Sequence, residues 1–174
     1  MVKISLKKLS AFQQLQLAVF IIEKALPVWE RFTALQSASY RSTTKGPVIV
    51  IETNLLHKAM EEISSHLRLQ FPAGNKTRIH QYYIKFVDPV IAMHDGLWFC
   101  SYPVKKVFLA VYFILKSILE QNHLKEKESH LTTAISYSID SIELSKLYSE
   151  EKLISILADY QVEYRQSIFE VTAQ

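Results

Sequence analysis

The chain has 174 residues, of which 49% are hydrophobic and 21% charged, and its formal net charge at pH 7 is +3. This length and composition fit one domain, residues 1–174, with a sizeable hydrophobic core, and they argue against a disordered chain. The 20 basic and 17 acidic residues are interleaved, so the charge does not favour a nucleic-acid-binding face. Only three glycines and five prolines occur, which favours a few long helices over many short strands.

The N-terminal part of the chain predicts two helices. Ser10 and Gln13 have the spacing of a capping box, in which each side chain binds a free backbone N–H group of the other residue. The apolar residues of this region are spaced three and four apart, as on one face of a helix: Leu9, Phe12, Leu15, Val19, Ile22 and Leu26. Pro27 is typical of a first helical turn, so we expect a second helix to begin there and residues 36–46 to form a loop.

Residues 48–51 allow two interpretations. All four are β-branched, which favours a strand. However, apolar residues continue at helical spacing as far as Leu67, and no partner strand is evident. We therefore predict a helix over about residues 47–69, with a short strand at residues 48–51 as the alternative. The stretch FPAGNK then ends that helix. A further helix is predicted over about residues 77–93, with a kink or an earlier end near Asp88 and Pro89 as the alternative.

Pro103 marks the start of the most hydrophobic segment. A proline suits the first turn of a helix, and residues 103–119 are apolar on nearly every face, which indicates a central, buried helix. The next predicted helix, residues 129–147, carries a stripe of small side chains that would let another helix approach closely: Ala134, Ser138, Ser141 and Ser145. A final helix after Ser149 has apolar positions at Leu153, Ile156, Leu157, Tyr160, Tyr164, Ile168 and Val171. The sequence thus predicts an all-α, single-domain bundle of about seven helices.

No membrane segment is predicted. The longest apolar run, VFLAVYFIL, has nine residues, whereas a bilayer span needs about 20. The run LQLAVFII follows lysines near the N-terminus, but glutamines interrupt its approach and no cleavage site follows, so we interpret it as a buried helix. The single cysteine cannot form an internal disulfide, which fits a reducing compartment. We expect a cytoplasmic protein.

Three segments carry a family resemblance. The opening LKKLSAFQQLQLAVFIIEKALPVWERF, the segment YPVKKVFLAVYFIL and the C-terminal SIELSKLY resemble, in order and spacing, the YjaG-like family of bacterial proteins, whose domain has no known function. The resemblance implies an all-α fold over most of the chain. It implies no activity, cofactor or functional residue, because the matching positions are helix caps and core positions.

The stretch MHDGLWFCSYP contains the candidate for catalysis. His94 and Asp95 would supply a base and the group that orients it, and Cys100 would supply a thiol nucleophile beside the helix that begins near Pro103. The aromatic residues around the cysteine would instead raise its pKa, and no cysteine-protease signature surrounds it. The favoured interpretation is a cysteine that is buried in the joint between two helices.

No metal or cofactor site is predicted. Glu120 and His123 have a spacing that is used in di-iron helical bundles, but the second copy of the motif is missing. Glu62 and His66 form only a pair, and the three glycines lie too far apart for a phosphate-binding loop.

A nucleic-acid-binding segment is a further hypothesis. In residues 76–85, basic and aromatic side chains are interleaved as they are in proteins that bind single-stranded nucleic acids. The residues are Lys76, Arg78, His80, Gln81, Tyr82, Tyr83 and Lys85. On a helix, however, Tyr82 and Lys85 share one face while Tyr83 lies on another. An ordinary amphipathic helix is therefore the favoured interpretation.

The many aromatic residues point to a protein partner. Nine tyrosines, nine phenylalanines and two tryptophans occur, and such residues are enriched at interface cores. We expect self-association, for example a homodimer through the final helices, or binding of another protein, with core packing inside one chain as the alternative. The favoured function is a non-catalytic interaction or regulatory module. The sequence makes no prediction about a small-molecule ligand.

Overall fold

The computed structural model describes residues 2–3, 9–69, 73–120, 124–163 and 172–173. Within these ranges the helices are α1 (Ala11–Leu35), α2 (Leu55–Arg68), α3 (Ala73–His94), α4 (Tyr102–Leu119), α5 (Leu124–Leu144) and α6 (Glu150–Glu163). The strands are β1 (Val2–Lys3), β2 (Ser39–Arg41), β3 (Val48–Val50) and β4 (Thr172–Ala173), and β1 pairs with β4 and β2 with β3, both antiparallel. The predicted all-α class is confirmed, with six helices among the described residues and not about seven.

Helix α1 is longer than predicted because Pro27 does not divide it. The capping box is confirmed: the Gln13 N–H donates to Ser10 Oγ at 3.3 Å, and the Ser10 N–H donates to Gln13 Oε1 at 2.9 Å. Pro27 has no N–H for the carbonyl one turn earlier, but the helix continues to Leu35. Trp29, in the turn that Pro27 begins, is fully buried and donates its indole N–H to the Thr53 carbonyl at 2.7 Å. Burial on this side of the helix offsets the missing hydrogen bond.

The predicted helix over residues 47–69 is wrong in its first third. Val48–Val50 forms β3, and its partner β2 comes from the segment that was expected to be a loop. Helix α2 therefore begins only at Leu55. Two later helices begin earlier than predicted, α3 at Ala73 and α5 at Leu124, and α3 continues through Pro89 to His94. Residues 70–72 of the predicted break lie outside the described part of the chain.

The predicted central helix is confirmed as α4. It packs against α1, α2, α3 and α5, and its buried apolar side chains point to all four. Phe108 is the centre of the aromatic core: its ring centroid lies 4.5 Å from that of Phe86, 4.9 Å from that of Trp98 and 5.9 Å from that of Trp29. Apolar burial around α4 is therefore the main force that holds the bundle together.

Helices α5 and α6 complete the core. Within the small-residue stripe, Ser138 and Ser141 are fully buried where α5 packs against α1 and α4, and Ser141 Oγ donates to the Pro103 carbonyl at 2.8 Å. On α6 the predicted apolar positions Leu153, Leu157 and Tyr160 are buried in the same chain, whereas Ile156 is half-buried. A homodimer through the final helices stays a prediction. Tyr164, Ile168 and Val171 lie outside the described residues.

None of the helices in the described ranges is both long enough and apolar enough to cross a membrane.

Candidate functional site

The segment between α3 and α4 is extended and hydrogen-bonded to β2, so it is not an open loop. Gly96 has a φ of 74°, a left-handed conformation that favours glycine, and it turns the chain out of α3. The next residues run alongside β2: the Arg41 N–H donates to the Leu97 carbonyl, and the Phe99 N–H donates to the Ser39 carbonyl, both at 3.0 Å. Residues 97–99 therefore flank β2 on the side opposite β3.

The structure does not assemble the predicted catalytic group. His94 and Asp95 are exposed at the end of α3, whereas Cys100 is half-buried beyond the extended segment. Burial raises the pKa of the Cys100 thiol, and the Ser39 backbone N–H and the Lys105 charge lower it by less. Within the described residues, no hydrogen bond joins either His94 or Asp95 to Cys100. The raised pKa favours the protonated thiol at neutral pH.

Cys100 is accordingly expected to react slowly. At pH 7, alkylation of Cys100 by iodoacetamide should be at least about tenfold slower in the folded protein than in the urea-unfolded chain, because both burial and the raised pKa reduce the available thiolate. Mass spectrometry of the modified peptide over time measures both rates. Folded-state alkylation as fast as that of the unfolded chain would restore the thiol as a catalytic candidate.

The proposed nucleic-acid segment lies on α3 but does not form one basic face. Lys76 and Lys85 are nine residues apart, so they lie about 180° apart around the helix. Arg78 contacts the Glu62 carboxylate at 3.8 Å, and Lys85 contacts Glu52 at 3.6 Å and lies over the Tyr82 ring. Two of the basic groups are thus paired with carboxylates, which reduces their attraction for phosphates.

Tyr83, from the same segment, is held in a second aromatic cluster. Its ring stacks on Tyr112 with centroids 5.4 Å apart, and the two hydroxyl oxygens are 3.4 Å apart. Burial, the hydrogen bond to Tyr112 and the charge of Tyr112 raise the pKa of Tyr83 to about 12. This ring is therefore already stacked within the chain and is not free to stack on a base.

The raised pKa of Tyr83 predicts an alkaline loss of stability. The folded-state pKa of about 12 lies above the ordinary value of 10.0, so the protonated phenol is favoured by folding. The contribution of Tyr83 to the free energy of unfolding is fully present below pH 10 and is lost as the pH rises towards 12. Urea unfolding at a series of alkaline pH values should show this loss in the wild type and a smaller one in Tyr83→Phe. Identical pH profiles for the two proteins would contradict the assignment.

The residues that were weighed as metal ligands do not converge. Among the described residues, no group of three or more histidine, cysteine, aspartate and glutamate side chains is placed to hold a metal ion. Glu120, which follows α4, instead contacts His130 of α5, with Oε2 and Nε2 2.7 Å apart. His123, the other half of the predicted motif, lies outside the described residues. The Glu120–His130 pair was missed because no helical spacing connects the two residues.

Several exposed apolar residues lie together at the hairpin of β2 and β3. Strand β3 is an edge of the sheet, and its residues are 49% (Val48), 37% (Ile49) and 61% (Val50) exposed. Between β3 and α3 lies a groove of about 330 Å³. Its walls include Ile49, Val50 and Pro89, together with Ile84 of α3, which is 56% exposed. We call β3 and this groove the hairpin surface.

A second cavity, of about 250 Å³, lies between α1, α4 and α5. Apolar side chains form most of its wall, with Val28 and Phe32 on one side and Val104 and Leu147 on the other. Arg31 at its rim is exposed. The polar residues that line it are Arg31, Ser101 and Ser145, and its lining contains no carboxylate, histidine or cysteine.

Compared with protein-family models, with curated proteins and with solved structures, the chain matches none of them. The resemblance to the YjaG-like family stays a prediction, and any function has to be argued from the geometry of the chain itself.

Proposed function

We propose that this chain is a non-catalytic helical protein-interaction module, and that the hairpin surface is where it binds another protein chain. The observation that carries the proposal is the run of three exposed β-branched residues, Val48–Val50, on an unpaired strand edge. In this proposal the helical bundle is a rigid support that presents the hairpin. The same proposal places the protein in the bacterial cytoplasm, where its free thiol would stay reduced.

Edge strands of soluble proteins are usually protected against pairing. Lysines, prolines within the strand, bulges or covering loops prevent other chains from adding to the edge. In β3 no charged residue occurs between Lys45 and Glu52, and the strand has no bulge against β2. The groove beside it, which is lined by apolar residues and by Glu52, Lys85 and Asp88, would receive side chains from an added strand. Such an edge is typical of a binding site for an extended segment of protein.

The two alternative functions have less support. An enzyme would need a base near Cys100, and His94 and Asp95 are separated from the thiol by the extended segment at residues 97–99. A nucleic-acid binder would need clustered, unpaired basic groups, but Lys85 and Arg78 contact carboxylates. Neither alternative explains why apolar residues remain exposed on β3.

Site-specific photo-crosslinking tests the proposal. A photoreactive phenylalanine analogue is placed at Ile84 on the hairpin surface, and in a matched control at Ser136, which is exposed on α5. In the native cell we expect one or a few discrete crosslinked protein species from position 84 and none of these from position 136. Identical products from both positions, or none from position 84, would contradict the proposed function.

A further inference from the structure

We infer that the cavity between α1, α4 and α5 is a separate binding site, which takes a small monocarboxylate with an apolar body, such as an arylalkanoate or a medium-chain fatty acid. This cavity shares no lining residue with the hairpin surface, so the inference goes beyond the proposed function and does not depend on it. It follows from the size of the cavity, from its apolar wall and from the positive charge at its rim.

The cavity has the size of a small organic ligand. Its volume is about 250 Å³, which is below the ~300–1,000 Å³ of most sites for drug-sized molecules. An apolar protein cavity of about 150 Å³ holds benzene, so this one can hold a body of roughly ten non-hydrogen atoms. An aromatic ring with a short chain has this size, and so does an aliphatic chain of about eight carbons.

The wall of the cavity favours an apolar body. Val28 and Val104 are buried in it, Phe32 supplies an aromatic face, and Pro103 and Leu147 supply aliphatic surface. Water in such a cavity finds few hydrogen-bond partners, so an apolar group that replaces the water lowers the free energy. The wall alone would accept any apolar molecule of the right size, and the rim decides the class of ligand.

The rim carries positive charge that the described chain does not neutralise. Arg31 lines the cavity, and within the described residues its guanidinium group makes no ion pair and no hydrogen bond. Lys146, which follows α5, is exposed and also makes no ion pair with a described carboxylate. The carboxylate next to Arg31 in sequence, Glu30, contacts His57 of α2 at 2.7 Å. An anion at the rim is therefore attracted, and no carboxylate of the cavity lining repels it.

The hydrogen-bond donors of the lining suit a carboxylate. A guanidinium group is a planar fork of N–H donors that binds a carboxylate through two parallel hydrogen bonds. The Ser101 hydroxyl makes no capping hydrogen bond with α4 and has no other partner among the described residues, so it is available as a further donor. The Ser145 hydroxyl already donates to the Ile142 carbonyl at 3.1 Å. One arginine and one hydroxyl match a single negative charge, whereas a phosphate dianion would need more donors.

An NMR titration of the isotope-labelled protein with three probes tests the class of ligand. Hydrocinnamate has both the apolar body and the charge, hydrocinnamyl alcohol has only the body, and acetate has only the charge. We expect hydrocinnamate to bind with a dissociation constant below about 5 mM, and the alcohol and acetate to bind at least about fivefold more weakly. Hydrocinnamate should shift the amide signals of Ser101 and Leu147 and leave that of Val48 unchanged. No binding, equal affinity for the alcohol, or shifts that are largest away from the cavity would overturn the inference.

The charge of Arg31 is tested by Arg31→Gln. The matched control is Arg68→Gln, which removes another exposed arginine without an ion pair among the described residues, outside the cavity lining. We expect Arg31→Gln to weaken hydrocinnamate binding by at least about fivefold and to leave the affinity for the alcohol unchanged. Arg68→Gln should bind both probes like the wild type. A folded Arg31→Gln protein that binds hydrocinnamate as tightly as Arg68→Gln does would contradict the proposed role of the arginine.

The location of the apolar body is tested by Ser145→Leu, which places a larger side chain in the cavity lining. Ser136→Leu adds the same side chain on the exposed side of α5 and is the matched control. We expect Ser145→Leu to weaken the binding of hydrocinnamate and of the alcohol by at least about fivefold, and Ser136→Leu to change neither. Circular dichroism shows that each variant is folded. A folded Ser145→Leu protein with wild-type affinity would overturn the inference, while crosslinking from Ile84 would still test the proposed function separately.

Discussion

Trp98→Ala is expected to lower the free energy of unfolding by about 3–5 kcal/mol, the range for removing a large buried aromatic side chain. The Trp98 ring is 5% exposed, packs edge-on against Phe108 and donates its N–H to the Pro89 carbonyl. It also lies opposite Tyr40 where residues 97–99 flank β2. The substitution therefore removes core packing and detaches the hairpin from the helices at the same time.

Urea unfolding that is followed by circular dichroism measures the effect of Trp98→Ala. The matched control is Phe99→Ala, the next residue, whose ring is 51% exposed and lies against the Arg41 guanidinium group. The control should lose no more than about 1 kcal/mol. Equal losses for the two variants would show that Trp98 does not join the hairpin to the core.

Ser138→Leu is expected to lower the free energy of unfolding by about 1–3 kcal/mol through overpacking. Ser138 is fully buried on the face of α5 that packs against α1 and α4, and its hydroxyl donates to the Ala134 carbonyl of the same helix at 2.8 Å. A leucine at this position would have to push the helices apart or adopt a strained rotamer. Either outcome would remove packing contacts between α5 and the helices α1 and α4.

Two variants show whether size is the cause. Ser138→Ala keeps the side chain small, so it should change stability by less than about 1 kcal/mol. Ser136→Leu adds the same leucine on the exposed side of α5 and should change it by about 0.5 kcal/mol or less. The melting temperature of each protein is the measurement. A Ser138→Leu protein as stable as the wild type would contradict the close approach of α5 to its neighbours.

Local signals in the sequence predicted much of the helical architecture. The capping box at Ser10 and the proline near the start of α4 act through neighbours along the same helix, and the small residues of α5 form a stripe at helical spacing. Such signals depend on spacing alone, so they are visible without the fold. For the same reason the nearly uniform apolar character of residues 103–119 was enough to identify the central helix.

Predictions failed where contacts distant in sequence decide the structure. Pro27 suits the first turn of a helix and also fits inside a helix that lacks one hydrogen bond, and the burial of Trp29 against α4 favours the second. Residues 48–50 suit both a helix and a strand, and they form a strand because Ser39–Arg41 pairs with them. The turn between these strands ends near Gly46, whose N–H donates to the Thr43 carbonyl, so the sequence did contain a hairpin signal.

The candidate site was missed for a related reason. The cluster of His94, Asp95 and Cys100 is close in sequence, but an extended segment separates its ends in space. The residues of β3 are all apolar, so the sequence of this strand contains no catalytic residue type. Only the folded chain places β3 and the exposed Ile84, which are distant in sequence, on the two sides of one groove.

Amide hydrogen exchange at Val48 and Val50 tests the central claim most directly. Their N–H groups face the unpaired edge, because the Ile51 N–H donates to the Ala38 carbonyl and bonded pairs alternate along an antiparallel ladder. In the protein alone we expect both amides to exchange like unprotected ones, while the Arg41 amide, bonded within the chain, stays protected. When a partner identified by crosslinking is added, exchange at Val48 and Val50 should slow by at least about tenfold and that at Arg41 should not change. Val48 and Val50 amides that remain unprotected with the partner present would contradict binding at the β3 edge.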